Sequence, residues 1–172
     1  GPQHARLIDW SQDVRDTHKG FAIVRNPWSR VVSRYTFRLR NQGHLNVNAT
    51  PSIKGFEAFL ETRHELVDAP FFWHRASSNW YPQTDYVLDE QKNLGVTCLR
   101  SEHLAYDLTT YLGAHNIKAL NRSQKAGLDW ASLYSPKTLQ LIADIYAEEI
   151  DFFGFDFDTS AQKNILQKRC EK

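Results

Sequence analysis

Residues 21–35, FAIVRNPWSRVVSRY, constrain the fold more than any other stretch, because they change from strand to helix with no room for a loop. Phe21-Ala22-Ile23-Val24 is a continuous apolar run, as expected of a strand covered on both faces in the middle of a sheet. Arg25-Asn26-Pro27 ends it: Asn26 suits an N-cap and Pro27 a first helical position, and Val31, Val32, Tyr35 and Leu39 follow at helical spacing. A strand that feeds a helix this directly leaves Arg25 at the strand end beside the helix N-terminus. A guanidinium in that place, reinforced by the helix dipole, suits a doubly charged phosphate. Arg30 and Ser33 lie three positions apart and share a helix face, so a hydroxyl projects beside a cation, while Arg34 and Arg38 line a neighbouring face. The bland alternative is that Arg30 pairs with a carboxylate and Ser33 packs.

Charge marks the same segment. The chain carries 21 Lys and Arg against 20 Asp and Glu, a formal net charge of +1. Yet no Asp or Glu falls between Thr17 and Phe56, where Lys19, Arg25, Arg30, Arg34, Arg38, Arg40 and Lys54 all sit. Such a block reads as a site for phosphate, sulfate or nucleic acid, against the competing reading of a solvated basic helix face. With 41% hydrophobic and 13% aromatic residues the composition excludes global disorder, and 172 residues amount to about one domain. No apolar run approaches the ~20 residues that span a bilayer, and no signal-peptide pattern is present. Cys98 and Cys170 are too few for a disulfide scaffold and lack metal-ligand spacing, so no metal is expected. Gly1-Pro2 is not a natural translation start and the chain contains no Met, so a cloning remnant or a cut within a longer protein is expected at its beginning.

Alternating strand and helix signals continue along the chain and predict an α/β class, with a parallel central sheet flanked by helices. Phe56, Phe59, Leu60 and Val67 mark a second amphipathic helix that ends before Pro70. Residues 71–86 are aromatic-rich and irregular, with Pro82 discouraging a regular element, and read as a long ordered loop. Residues 86–88 and 96–99 are strand-length and separated by a polar turn containing Asn93 and Gly95. Ser101 suits the cap of a helix running to Leu112, with Gly113 as its stop. Ser135-Pro136 repeats the cap-plus-proline signature ahead of one strong helix whose apolar stripe is Leu139, Ile142, Ile145, Tyr146 and Ile150, followed by the cluster Phe152-Phe153-Gly154-Phe155. Residues 159–172 form a tail with weak helical character.

The segment FAIVRNPWSRVVSRY resembles the 3′-phosphate-binding motif of the sulfotransferases that use 3′-phosphoadenosine 5′-phosphosulfate (PAPS), in which a strand-end Arg and a helical Ser hold the 3′-phosphate of the nucleotide. Those positions here are Arg25 and Ser33, with Arg30 beside them. WYPQTDY (80–86), LRSEHL (99–104), LNRS (120–123) and the stretch from IYA (145–147) to FGF (153–155) follow in the order seen in carbohydrate-type and related bacterial sulfotransferases. The resemblance covers about residues 4–158, and residues 1–158 are expected to form one domain with a P-loop-like sulfotransferase fold, incomplete at its N-terminus.

The resemblance implies that Ser123 also touches the nucleotide and that His4, ahead of the strand, is the candidate general base, with His18, His74 and Glu102 as rivals; an ordinary polar turn at 121–123 is the plain alternative. It also exposes a departure. These enzymes hold the 5′-phosphosulfate in a Gly- and Lys-containing loop after their first strand, and none of the eight Gly residues here has that arrangement. A first strand and loop are therefore expected upstream of residue 1, or on a partner, or the chain is an inactive nucleotide-binding remnant. The acceptor implied is a hydroxyl of a carbohydrate or small metabolite, with Trp73, Trp80 and Tyr81 placed either to stack on it or to fill a core beneath the loop. A nucleic-acid-binding module using the basic 25–40 helix is the competing class, disfavoured by the near-neutral total charge. A bacterial-type enzyme is expected in the cytoplasm, and a Golgi-type one in the Golgi lumen behind an upstream membrane anchor.

Overall fold

The computed structural model describes residues 5–41, 50–62, 81–113 and 128–158. In chain order the elements are α1 (Gln12–Thr17), β1 (Phe21–Val24), α2 (Pro27–Asn41), α3 (Ile53–Glu61), α4 (Thr84–Val87), β2 (Thr97–Arg100), α5 (Leu104–Leu112), α6 (Pro136–Ile145) and α7 (Ala147–Phe153), with short 3-10 turns at Leu7–Asp9, Ser101–His103 and Trp130–Leu133. This is an α/β protein whose small parallel two-stranded sheet is flanked by helices. The chain divides into two compact units, one of Gly1–Asn26, Pro82–Leu128 and Glu148–Lys172, the other of Pro27–Tyr81 and Asp129–Ala147.

The first unit is built on the sheet. β1 and β2 run parallel with Phe21 opposite Thr97 and Val24 opposite Arg100, so both strands deliver their carboxyl ends to the same edge. Val24, Val87, Leu88, Cys98, Leu99, Phe153 and Phe155 form its apolar core. α5 ends where expected, at Gly113, whose left-handed φ of 63° is the conformation in which glycine stops a helix at no steric cost.

Two expectations are corrected here. β1 is not covered on both faces: Phe21 is 42% and Ile23 48% exposed, and among the described residues β2 is its one strand neighbour. A four-residue apolar run carries no periodicity to separate a half-open strand from a buried one. Nor do residues 86–88 form a strand: Thr84–Val87 is a helical turn, and Leu88 makes only an isolated antiparallel bridge to Leu94. The intervening turn is closed by Asp89, whose Oδ1 accepts the Gln91 and Asn93 N–H groups at 2.9 and 2.7 Å, and local bonding of this kind competes with a strand ladder.

The second unit is helical and aromatic. Trp28, Val31, Val32 and Tyr35 on α2 are buried, as are Phe56, Phe59 and Leu60 on α3 and Ile142 on α6. Rings of Tyr35, Phe59 and Tyr134 surround Phe56 at centroid distances of 5.5, 6.4 and 5.0 Å. A side chain at Gly55 would collide with the Tyr35 hydroxyl, so glycine is what allows α3 to approach α2 this closely. α6 starts as its sequence predicts: Ser135 Oγ accepts the Thr138 N–H and Thr138 Oγ1 accepts the Ser135 N–H, a reciprocal cap. It does not run on through Ile150. Tyr146, at φ −113° and ψ 25°, separates α6 from α7, so one apolar stripe is shared by two helices. Periodicity alone does not register a one-residue break. The predicted continuation of the second helix to Val67 and the tail 159–172 lie outside the described residues.

Candidate functional site

The chain leaves β1 into a set of side chains that replace a neighbouring strand. Gln83 Oε1 accepts the Arg25 N–H at 2.8 Å, and Gln83 Nε2 donates to the Arg25 carbonyl, also at 2.8 Å. One carboxamide thus satisfies both backbone groups of the residue that follows the strand. Gln83 is in turn held by Glu149, fully buried on α7, whose Oε1 accepts from Gln83 Nε2 at 2.6 Å and whose Oε2 accepts the Gln83 N–H. The next residue is fixed equally firmly. Glu102 Oε1 accepts the Asn26 N–H at 2.8 Å, and the Asn26 side chain donates to the Asp156 carbonyl at 2.6 Å.

The end of β2 is built the same way. The Arg100 N–H donates to Asp107 Oδ2 at 2.7 Å, its guanidinium donates to the Phe153 carbonyl at 2.6 Å, and that cation lies 4.5 Å from the centre of the Phe155 ring. Burial lowers the Arg100 guanidinium from its ordinary value, opposed by the charges of Glu102, Asp107 and Asp156. Carboxyl ends of parallel strands are where α/β proteins present backbone and side chains to ligands. Here that edge carries Arg25 and Asn26 on one strand and Ser101 and Glu102 on the other.

Arg30 and Ser33 lie within the first two turns of α2, in the second unit. The Arg30 guanidinium stacks on the Tyr146 ring, 4.7 Å from its centre. Ser33 is half-buried, and its carbonyl accepts from Thr36 Oγ1 at 3.0 Å. Further along, Arg38 donates to Thr62 Oγ1 at 2.8 Å and lies over the Phe59 ring, while Arg40 Nε reaches the Thr36 carbonyl at 3.3 Å.

Of the expected site residues, Arg25 belongs to the first unit and Arg30 and Ser33 to the second; His4 and Ser123 lie outside the described residues, as do His74, Trp73 and Trp80. His18 Nδ1 is 2.9 Å from Thr17 Oγ1, and Glu102 is engaged with the Asn26 N–H. Cys98 is buried in β2 and its thiol is pushed up to about 12, so it is no nucleophile near neutral pH. Among the described residues no group of three or more His, Cys, Asp or Glu could hold a metal ion, and no helix is long and apolar enough to cross a membrane. A mostly apolar cavity of about 700 Å³ runs along β1, lined by Leu7, Trp10, Val14, Tyr86 and the strand itself.

Gln83 and Glu149 are the residues that sequence reasoning missed. A signal existed for Glu149: it falls on the stripe Ile142, Tyr146, Glu149, Phe153, where a charge interrupts an otherwise apolar helical spacing. Gln83 lies in WYPQTDY, where no periodicity distinguishes it.

No curated protein and no solved structure matches the chain at a significant level. The model of the sulfotransferase family matches residues 3–156, which spans the Arg25–Ser33 segment and the Gln83, Glu102 and Glu149 positions alike. With nearly its whole length matched, this chain belongs to the sulfotransferase family.

Proposed function

We propose that the chain carries the 3′-phosphate half of the donor site of a PAPS-dependent sulfotransferase, which moves a sulfuryl group to a hydroxyl of a carbohydrate or small metabolite. The observation that carries this reading is Arg25 itself: a cation at the carboxyl end of a parallel strand, with both backbone groups fixed, in a chain of the sulfotransferase family. In this reading the Arg25 guanidinium takes two oxygens of the 3′-phosphate, Ser33 adds a hydroxyl from α2, Arg30 contributes positive potential, and Ser123 completes the contact.

The reaction needs three things from the protein. A base takes the proton of the acceptor hydroxyl; His4 is assigned that role. The acceptor oxygen attacks sulfur in line, forming a new S–O bond as the bond between sulfur and the 5′-phosphate oxygen breaks, and the electron pair leaves with 3′-phosphoadenosine 5′-phosphate. Donors aimed at that leaving phosphate stabilise the charge it gains. Those donors belong to the Gly- and Lys-containing loop, which this reading places on polypeptide outside residues 1–172, with residues 1–158 forming the rest of the domain.

The test is a thermal shift with 3′-phosphoadenosine 5′-phosphate on the chain and on its Arg25→Ala variant. Ligand at about 100 times its Kd adds about 2.7 kcal/mol, or roughly 5–10 °C for a chain of this size. The expected result is a shift that Arg25→Ala abolishes; an equal shift in both proteins contradicts the reading. Steep salt dependence with tolerance of unrelated polynucleotides would instead establish the nucleic-acid class.

A further inference from the structure

We infer that Gln83 and Glu149 are positioning residues for the anion site, acting through the Arg25 backbone; the inference rests on the reading of Arg25 as the phosphate ligand. The geometry is over-determined. Gln83 Oε1 faces one donor, the Arg25 N–H, while Gln83 Nε2 faces two acceptors, the Arg25 carbonyl and Glu149 Oε1, so the carboxamide has one orientation in which every contact is favourable. Glu149 likewise faces two donors, the Gln83 N–H and the Gln83 Nε2–H, which a carboxylate satisfies with both oxygens and an amide does not. The two residues come from α7 and from the turn before α4, 66 positions apart, and meet at the first residue past β1.

A structural role alone would be met more simply. A strand end exposes its last N–H and carbonyl to water at little cost, whereas here a fully buried carboxylate orients a side chain that grips both. What this arrangement adds is a fixed φ and ψ at Arg25, and hence a fixed origin for its guanidinium. A bidentate contact to phosphate depends on that origin to within a fraction of an ångström, since a ligand must otherwise bear the cost of ordering the side chain on binding.

The test uses Gln83→Leu, with Gln83→Asn as a milder second variant. Amide hydrogen exchange reads the clamp without any nucleotide. The Arg25 N–H is expected to exchange about tenfold faster or more in both variants while Ile23 and Val24 in β1 keep their rates, and unchanged Arg25 exchange overturns the inference. In the unaltered chain a scalar coupling through the hydrogen bond from the Arg25 nitrogen to the Gln83 carboxamide carbon is expected, and its absence overturns the inference even if neither variant folds. Binding then separates positioning from bulk structure. Gln83→Leu is expected to weaken 3′-phosphoadenosine 5′-phosphate about tenfold, or ~1.4 kcal/mol, and adenosine 5′-phosphate less than about twofold. Equal weakening of both nucleotides means a merely structural residue. In the Arg25→Ala background Gln83→Leu is expected to add nothing further. If Arg25→Ala leaves discrimination between the two nucleotides intact, the reading of Arg25 fails while the exchange result still decides whether the clamp exists; if Arg25→Ala destroys it and Gln83→Leu does not, the inference fails alone.

Discussion

The two units hold themselves together by different means. Around α2, α3 and α6 the buried side chains are mainly rings and aliphatic chains beside Ser29 and Thr138, with Phe56 enclosed by Tyr35, Phe59 and Tyr134. Around the ends of β1 and β2 the buried groups are Asn26, Arg100, Asp107 and Glu149, each hydrogen-bonded to backbone or to a side chain that holds backbone. The first kind of interior depends on volume and tolerates apolar exchange; the second depends on each donor finding its acceptor and tolerates almost none. A strand end that fixes its backbone groups needs such a polar interior, and the ends of β1 and β2 have one.

The largest expected effect that sharpens this contrast is Phe56→Ala. It removes a fully buried ring from the aromatic unit and is expected to cost about 3–5 kcal/mol, measured as a fall in the denaturation midpoint. Phe56→Leu, which keeps most of the volume, should recover most of that loss; no recovery would mean that ring geometry rather than volume matters there. Asp107→Ala probes the polar unit. It strands the buried Arg100 N–H and is expected to cost about 1–3 kcal/mol, by the same measurement. Here an apolar residue of similar size, Asp107→Leu, should give no recovery, and recovery would break the comparison.

Ser135→Ala removes the cap of α6 and a bond from Ser135 Oγ to Glu57 Oε1, and is expected to cost about 0.5–2 kcal/mol, with Ser135→Asn, which keeps both an acceptor and a donor, retaining most of the stability. The smallest effect is expected at the exposed pair Arg15–Glu90, joined by bonds of 2.8 and 3.0 Å. The Arg15 guanidinium holds the Glu90 carboxyl below its usual 4.5. Because the folded value lies below the unfolded one, this contribution is present above about pH 4.5 and is lost as pH falls through the folded value. Glu90→Gln should therefore lower Tm slightly near neutrality and converge on the unaltered chain as pH falls below the folded value, flattening the acid side of a Tm-against-pH comparison.

What was legible in the sequence follows the same division. α2 was readable because Asn26-Pro27 and the spacing of Val31, Val32 and Tyr35 are local signals, and α6 because Ser135-Pro136 caps it. The partners of the Arg25 backbone were not, since a carboxamide 58 positions away and a carboxylate beyond it meet through tertiary contact that no local pattern encodes. The apolar run marks β1 but not its cover, because Phe21 and Ile23 are as apolar as buried strand residues. Of the residues proposed for the site, Arg25, Arg30 and Ser33 are legible as a motif, while Gln83 has no sequence signal and Glu149 shows only as a charge on an apolar stripe.

The most direct test of the central claim is the ratio of affinities of the unaltered chain for 3′-phosphoadenosine 5′-phosphate and adenosine 5′-phosphate, measured by calorimetry at one salt concentration. A hydrogen bond to a charged group contributes about 1.5–3 kcal/mol, so a 3′-phosphate gripped by Arg25 and Ser33 predicts a ratio of at least roughly tenfold. Equal affinities, or a ratio that Arg25→Ala leaves in place, would contradict the assignment of this strand end as the nucleotide site.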